Sequence, residues 1–400
     1  MRQFAGAIRT AKAKSRIESI DKMAGSIGHP LRKEGISIIL FGDSAVEEET
    51  KPDSDMIDDN IQIGKAVGDN RRAIEATPIE QYLDGEFRAV PYPGDLDSEY
   101  QLDYFIDGSI RTKYIGETVT PSGRGGALMA ASLGAVAVRV DYQSMKVKPA
   151  IFKSELVVYM VNDIPDSTKD VIKNNLDNLT PPVLTEFITQ EQAQMNIRGS
   201  AGGKARSKMH SIEIDVAKSI GHDRKWIAVD GALRKKEFID LERAIGIAKS
   251  FGGKVTFLGS GRPKTISYLA KMKKGERSPV YRYSILNPSE ESEEKDSLEK
   301  IAFWYVRIRQ PPPEMMPLGG IVKIDISYKE SSQYHNITEV ADKISASILR
   351  IADPSIFPRP RWPSFVYPVR VAEECLQPLL FSDDEFLRLG VSLKSVMYNE

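Results

Sequence analysis

Apolar segments of strand length recur from residue 100 onward, and this repetition constrains the fold more than any other feature of the sequence. Segments such as LDYFI (102–106) and AFWYVRI (302–308) are short and rich in aromatic and branched side chains, which favours buried strands. The other predicted strands are 128–140, 155–161, 226–229, 254–258 and 321–327. Helical patterns predict helices at 205–220, 237–250 and 336–351. Helices inserted between strands predict an α/β fold with a mixed sheet.

The first hundred residues differ in character from the rest. Basic residues and apolar residues at helical spacing predict a basic helix over 1–33, and an acidic polar stretch predicts a solvated loop over 43–60. A second helix is predicted at about 60–83, before a linker that contains Pro91 and Pro93. We therefore expect three parts, namely a mostly helical N-terminal region over 1–95, an α/β unit over 96–385, and a tail over 386–400.

Composition excludes several classes of function. With 55 Lys and Arg against 56 Asp and Glu, the net charge of −1 excludes nucleic-acid binding driven by overall charge, so any such contact needs a local basic patch. One cysteine, Cys375, excludes a disulfide framework and a thiolate zinc site. Since the chain has only four histidines, carboxylates must hold any metal, which favours Mg²⁺, Mn²⁺ or Ca²⁺.

The sequence contains neither an apolar stretch of the roughly 20 residues that span a bilayer nor an apolar secretory segment at its start. We therefore expect a cytoplasmic protein without membrane contact.

Two predicted strands end in the same way, with an aspartate followed by glycine and a small residue. YFIDGS contributes Asp107, and WIAVDGA contributes Asp230. A carboxylate at the end of a buried strand is held rigidly, and the glycine after it lets a substrate or a metal approach closely. Ordinary turn chemistry after a strand explains an Asp-Gly pair equally well, and both interpretations stay open.

A third acid comes from the predicted helix 205–220. Its apolar face is marked by Met209, Ile212, Val216 and Ile220. Glu213 borders that face, whereas Asp215 faces solvent. A carboxylate beside a buried surface is costly unless it is paired or bound to a metal, so Glu213 is a candidate ligand. A salt bridge to a neighbouring Arg or Lys is the alternative.

Three carboxylates without histidines are typical of two-metal hydrolysis of phosphodiesters, in which one metal generates the hydroxide nucleophile. Basic and polar residues near these acids in the sequence are candidates for phosphate contacts, although an ordinary solvated surface explains each of them as well. The candidates are Ser109, Arg111, Lys113, Arg206, Arg234 and Lys249.

From about residue 100 to 380 the chain resembles the NurA nuclease family, whose core is RNase H-like. The resemblance rests on Asp107-Gly108-Ser109, on Glu213 in the helix before the second strand, on Asp230-Gly231, on Gly246-x-x-Lys249 and on Tyr367-Pro368. Glu373 or Glu374 stands where the family carries a histidine.

The resemblance implies an RNase H-like mixed sheet flanked by helices, with Asp107, Glu213 and Asp230 holding one or two Mn²⁺ or Mg²⁺ ions. It implies further catalytic roles for Tyr367 and Glu373. It also implies a homodimer that processes 5′ ends of DNA together with a hexameric HerA-like ATPase, in DNA repair or antiviral defence.

Two other functions stay open. One is a catalytically degenerate adaptor that binds DNA or an ATPase partner without cutting, and the other is a different RNase H-like enzyme, such as an Argonaute-type slicer or a transposase. Of the two glutamates at 373 and 374, we expect one to point at the metal site, within reach of a cation shared with Asp107, and the other to face away or pair with a basic residue such as Arg370. The alternative is that both are exposed. Asp325 is expected at a solvent-exposed strand position, and a role as a further acid of the site is the alternative.

Overall fold

One mixed β-sheet organises the part of the chain that the computed structural model describes. The described residues are 2–40, 74–80, 87–91, 98–161, 164–189, 197–220, 225–233, 236–241, 243–249, 256–257, 265–285, 300–310, 317–328, 336–352 and 366–398. The strands are β1 (Ser37–Leu40), β2 (Ile74–Pro78), β3 (Arg88–Ala89), β4 (Leu102–Val119), β5 (Gly125–Asp141), β6 (Lys146–Val161), β7 (Val183–Ile188), β8 (Trp226–Asp230), β9 (Ala244–Ala248), β10 (Thr256–Phe257), β11 (Glu276–Arg277), β12 (Tyr281–Ile285), β13 (Ile301–Arg307) and β14 (Ile321–Ser327). The helices are α1 (Arg2–Lys33), α2 (Asp166–Asp177), α3 (Ile197–Ser219), α4 (Lys236–Ile239), α5 (Thr265–Leu269), α6 (Ile337–Arg350), α7 (Tyr367–Leu376) and α8 (Asp383–Tyr398).

The centre of the sheet combines antiparallel and parallel strands. The long strands β4, β5 and β6 form an antiparallel meander, whereas β8 pairs in parallel with the other edge of β4 and β9 pairs in parallel with β8. The order along the main path is β10-β2-β12-β13-β14-β9-β8-β4-β5-β6-β7. The predicted α/β fold with a mixed sheet flanked by helices is therefore confirmed.

The two faces of the central sheet are covered by different helices. One core cluster contains Ile106 of β4 together with Met209 and Ile212 of α3. The other contains Phe105 of β4 together with Leu376 of α7. Because side chains alternate along a strand, Asp107 faces α7, and Gly108 faces α3.

The first and last helices pack against each other. Ile20 and Ile27 of α1 and Leu393 of α8 are buried in one apolar cluster, and Arg388 Nη2 lies 2.9 Å from Asp21 Oδ2. The predicted basic N-terminal helix is confirmed. Because α8 begins at Asp383 and packs into the fold, the predicted boundary at 385 falls inside a helix rather than before a free tail.

The predicted helix at 237–250 is wrong. The chain forms only the short helix α4 there and then strand β9, in which every residue is buried. Strand β9 lies between β8 and β14, so both of its faces are covered and its sequence shows no alternation. Gly246 is required at this point, since a Cβ would lie 2.6 Å from Gly231 O.

The predicted helix at 60–83 is also wrong where it can be compared, because Ile74–Pro78 is strand β2. Residues 60–73 lie outside the described residues, as does the predicted acidic loop at 43–60. No helix among the described residues is long and apolar enough to cross a bilayer.

Candidate functional site

Asp107 and Asp230 lie side by side on neighbouring strands. The parallel register pairs Ile106 of β4 with Val229 of β8, so the next residue of each strand is one of the two aspartates. Asp230 ends β8 as predicted, but the predicted strand end at Asp107 is wrong, because β4 continues through the Asp-Gly pair to Val119 and pairs with β5 along that length. Asp107 is buried, with 6% of its surface exposed. Within the described residues, its carboxylate accepts no hydrogen bond and forms no ion pair. A buried carboxylate without a partner is costly, so this group calls for a ligand.

Lys249, directly after β9, joins two acids that come from different elements. Its Nζ lies 3.0 Å from Asp230 Oδ2 and 3.2 Å from Glu373 Oε1 of α7. Burial alone would lower the pKa of the Lys249 ammonium, but the carboxylates of Asp230, Glu373 and Asp107 raise it above its usual value. The residue that the sequence analysis treats as a phosphate contact is therefore a charged member of the acidic site.

Glu213 approaches Asp107 from the opposite face of the sheet. It is 4% exposed, whereas Asp215 on the same helix is exposed, so the predicted register of the helix is confirmed. The carboxylate of Glu213 occupies the space beside Gly108, where an added Cβ would lie 2.7 Å from Glu213 Cδ and closer still to Oε1. Its other oxygen, Oε2, lies 2.8 Å from His210 Nδ1. The absence of a side chain at Gly108 therefore leaves room for the Glu213 carboxylate beside the residue that follows Asp107.

The acids perturb one another strongly. Burial raises the pKa of the Asp107 carboxyl well above its usual value, and the negative charges of Asp230, Glu373 and Glu213 raise it further. Lys249 offsets part of this effect. Four carboxylates against one ammonium give a formal charge of −3 when all five groups are ionised. The site therefore has a deficit of positive charge next to a buried acid.

The two glutamates of α7 have different surroundings, as the sequence analysis expected. Glu373 points into the acidic site and contacts Lys249, whereas Glu374 pairs with Arg370, whose Nε lies 2.9 Å from Glu374 Oε1. The predicted directions of the two side chains are therefore confirmed, and the cation shared with Asp107 stays a prediction. Tyr367, in the first turn of the same helix, is 37% exposed.

The predicted phosphate contacts are not gathered into one patch. Ser109, Arg111 and Lys113 share with Asp107 the face of β4 that points toward α7, and all three are partly exposed. Arg111 is engaged within the fold, donating to Phe381 O at 3.0 Å and to the side chain of Gln377. Arg206 lies on α3, on the other side of the sheet, and Arg234 lies outside the described residues.

Asp325 was expected to be exposed, and that expectation is wrong. It is 2% exposed, because β14 lies between β9 and β13 and is covered on both faces. Its Oδ1 lies 2.6 Å from Lys323 Nζ, and its Oδ2 accepts a hydrogen bond from Leu233 N at 3.2 Å. Asp325 thus fixes the turn that follows Asp230. A pair of opposite charges inside an apolar strand was the sequence signal for this role.

The chemical type of the donors, rather than their spacing, suits a hard divalent cation. Carboxylate oxygens are the ligands that Mg²⁺ and Mn²⁺ prefer, and the site carries excess negative charge around Asp107, which accepts no hydrogen bond among the described residues. The fit is not that of a preformed cage, since no three acidic or histidine side chains among the described residues are close enough to form a ready ligand group. Lys249 lies between two of the acids instead.

Comparison with known proteins adds no identity to this geometry. No family model matches the chain, and no curated protein matches it either.

Proposed function

We propose that this protein is a metal-dependent deoxyribonuclease with an RNase H-like core. The observation that carries the proposal is the convergence of four carboxylates, from β4, α3, β8 and α7, around Asp107, which is buried and has no partner of its own among the described residues. Such a site attracts a divalent cation, and a cation is what lets an acidic site accept the phosphate of a nucleic acid.

The strand order supports the proposed core. An RNase H-like core needs an antiparallel meander of three strands, with two further strands added in parallel at the free edge of the first strand. Strands β6-β5-β4-β8-β9 have this order and these directions, and α3 precedes β8 in the chain. Asp107 on β4, Glu213 on α3 and Asp230 on β8 then occupy the first strand, the first helix and the fourth strand of the core.

Each residue of the site has a task in this proposal. A bound Mn²⁺ or Mg²⁺ would polarise the phosphodiester and lower the pKa of a bound water. Asp107, Asp230 and Glu213 would hold the ion. Lys249 keeps Asp230 and Glu373 in fixed positions and offsets part of their charge. Ser109 lies two residues from Asp107 on the same face and is partly exposed, and in this proposal it would contact a phosphate oxygen.

Cleavage of labelled linear DNA in Mn²⁺ and in EDTA tests the proposal. Glu213→Gln should abolish cleavage in Mn²⁺, because it removes a charged ligand and leaves the shape of the side chain almost unchanged. Asp215→Asn on the same helix is the matched control, since Asp215 is 53% exposed and pairs only with surface Lys153 among the described residues. The proposal fails if Glu213→Gln cleaves like the unmodified protein, or if EDTA has no effect.

The proposal also includes the partners that the resemblance implies. We propose a homodimer that works with a HerA-like hexameric ATPase on DNA ends. Light scattering at micromolar concentration should give the mass of a dimer, and an added translocase of that type should accelerate cleavage. A monomer mass would contradict the proposed dimer, but it would not bear on the proposed metal site.

The position of Lys249 favours a second candidate, a non-cleaving adaptor. An ammonium between Asp230 and Glu373 already satisfies part of the charge that a metal would satisfy. An adaptor would bind DNA or an ATPase with the same affinity in EDTA and in Mn²⁺ and would cut neither single-stranded nor double-stranded DNA. The cleavage assay above separates the two candidates directly.

A further inference from the structure

We propose that the acidic site binds one divalent cation per chain and that the Lys249 ammonium occupies the position of a second one. The inference rests on the proposed function and deepens it, because it concerns the number of ions that the same site holds. Two-metal sites are the usual arrangement for phosphodiester hydrolysis by carboxylates, so a single ion is a distinct and testable outcome.

The position of Lys249 is that of a bridging cation. Its Nζ contacts one oxygen of Asp230 and one oxygen of Glu373, at 3.0 and 3.2 Å, and so links a sheet strand to a helix. An ammonium carries three donors and satisfies more than one carboxylate at once. A metal ion that bridged these two acids would have to displace Nζ from between them.

The side chain of Lys249 is built into the fold. Only 10% of it is exposed, and it follows directly on β9, whose residues are buried between β8 and β14. It does not belong to the flexible surface lysines that move aside at little cost. The bridging position is therefore filled by the protein itself.

Asp107 provides the place for the one ion. Its carboxylate is 6% exposed and accepts no hydrogen bond within the described residues, although Asp230 is its immediate neighbour. Glu213 adds a further carboxylate from across Gly108. Asp107 thus has no ion pair within the part of the chain that the structure describes, whereas Asp230 and Glu373 already share the Lys249 ammonium.

Counting bound Mn²⁺ tests the inference. Electron paramagnetic resonance of free Mn²⁺ during a titration should give one bound ion per chain in the unmodified protein, and none in Asp107→Asn. Lys249→Gln removes the ammonium and should raise the number to two. Lys249→Arg, which keeps the charge, and Lys153→Gln, which removes a surface lysine, should both stay at one.

Three results would overturn the inference. Two ions in the unmodified protein would show that Lys249 takes no metal position and would leave the proposed nuclease intact. One ion in a folded Lys249→Gln variant would also show that Lys249 does not occupy the position of a second ion. No ion in the unmodified protein would refute the proposed function together with the inference. If Lys249→Gln does not fold, the counts for the unmodified protein and for Lys249→Arg still decide.

Discussion

Replacing Gly108 by alanine tests the geometry of the site with the smallest change. The added Cβ would lie 2.7 Å from Glu213 Cδ. Carbon atoms in contact prefer about 3.5–4.0 Å, so the carboxylate of Glu213 must retreat by about 1 Å. A misplacement of about 1 Å in a catalytic group costs on the order of 10²-fold in rate.

Gly108→Ala should lower the free energy of unfolding only slightly. The atoms that meet the new Cβ, in Glu213 and Met209, are the far ends of flexible side chains. We expect a loss of about 1 kcal/mol in the free energy of unfolding, at the low end of what overpacking costs. Gly108→Ala should therefore remain folded while its DNA cleavage and its Mn²⁺ affinity fall steeply.

Gly125→Ala is the matched control, because Gly125 also lies on a strand and a Cβ there meets nothing within 4 Å. Denaturant unfolding measures the stability of both variants, and cleavage of labelled DNA measures their activity. Wild-type cleavage and Mn²⁺ affinity in a folded Gly108→Ala variant would refute the reasoning, since Glu213 would then be dispensable or able to act from elsewhere.

Three further predictions concern single residues. Metal-free Asp107→Asn should melt at a higher temperature than the unmodified protein at neutral pH. The raised pKa of Asp107 means that the folded state binds its proton more tightly than the unfolded state, so stability falls as pH rises above the ordinary value of 3.8. Thermal melts in EDTA should show that the melting temperature of Asp107→Asn exceeds that of the unmodified protein by more at pH 8 than at pH 5. A lower melting temperature for the variant at pH 8 would contradict this. Glu373→Gln should change the metal requirement of cleavage, whereas Glu374→Gln should leave it unchanged, because Glu374 belongs to an exposed ion pair. If neither substitution changes cleavage, Glu373 has no role in the site. Arg277→Met should destabilise the fold by about 3–5 kcal/mol in denaturant unfolding, because it leaves the buried carboxylate of Glu80 without its cation and leaves Asp342 with only Arg88 among the described residues. A loss below this range would show that those acids find other partners.

The parts of the site that local pattern determines were predictable from the sequence. Asp-Gly pairs after apolar segments located Asp107 and Asp230 as candidate acids, although only Asp230 ends its strand. The apolar stripe of α3 separated buried Glu213 from exposed Asp215. Adjacent residues on a helix point in different directions, and this is why one of two successive glutamates, Glu373, faces the site.

The parts that depend on contacts distant in sequence were not predictable. β9 was predicted as helix because a strand covered on both faces loses its alternation and resembles a helical segment in apolar content. Lys249 reaches Asp230 and Glu373 only because that strand lies in the sheet. Asp325 was misplaced for the same reason, since alternation predicts exposure only where one face of the sheet is open to solvent.

The central claim is that the acids around Asp107 hold a divalent cation, and anomalous scattering from crystals grown with Mn²⁺ tests it most directly. The claim predicts an anomalous peak in contact with both Asp107 and Asp230, and no such peak in crystals of Asp107→Asn. It is contradicted if, at saturating Mn²⁺, the acids around Asp107 show no peak, or if the peaks lie only at surface carboxylates such as Asp215.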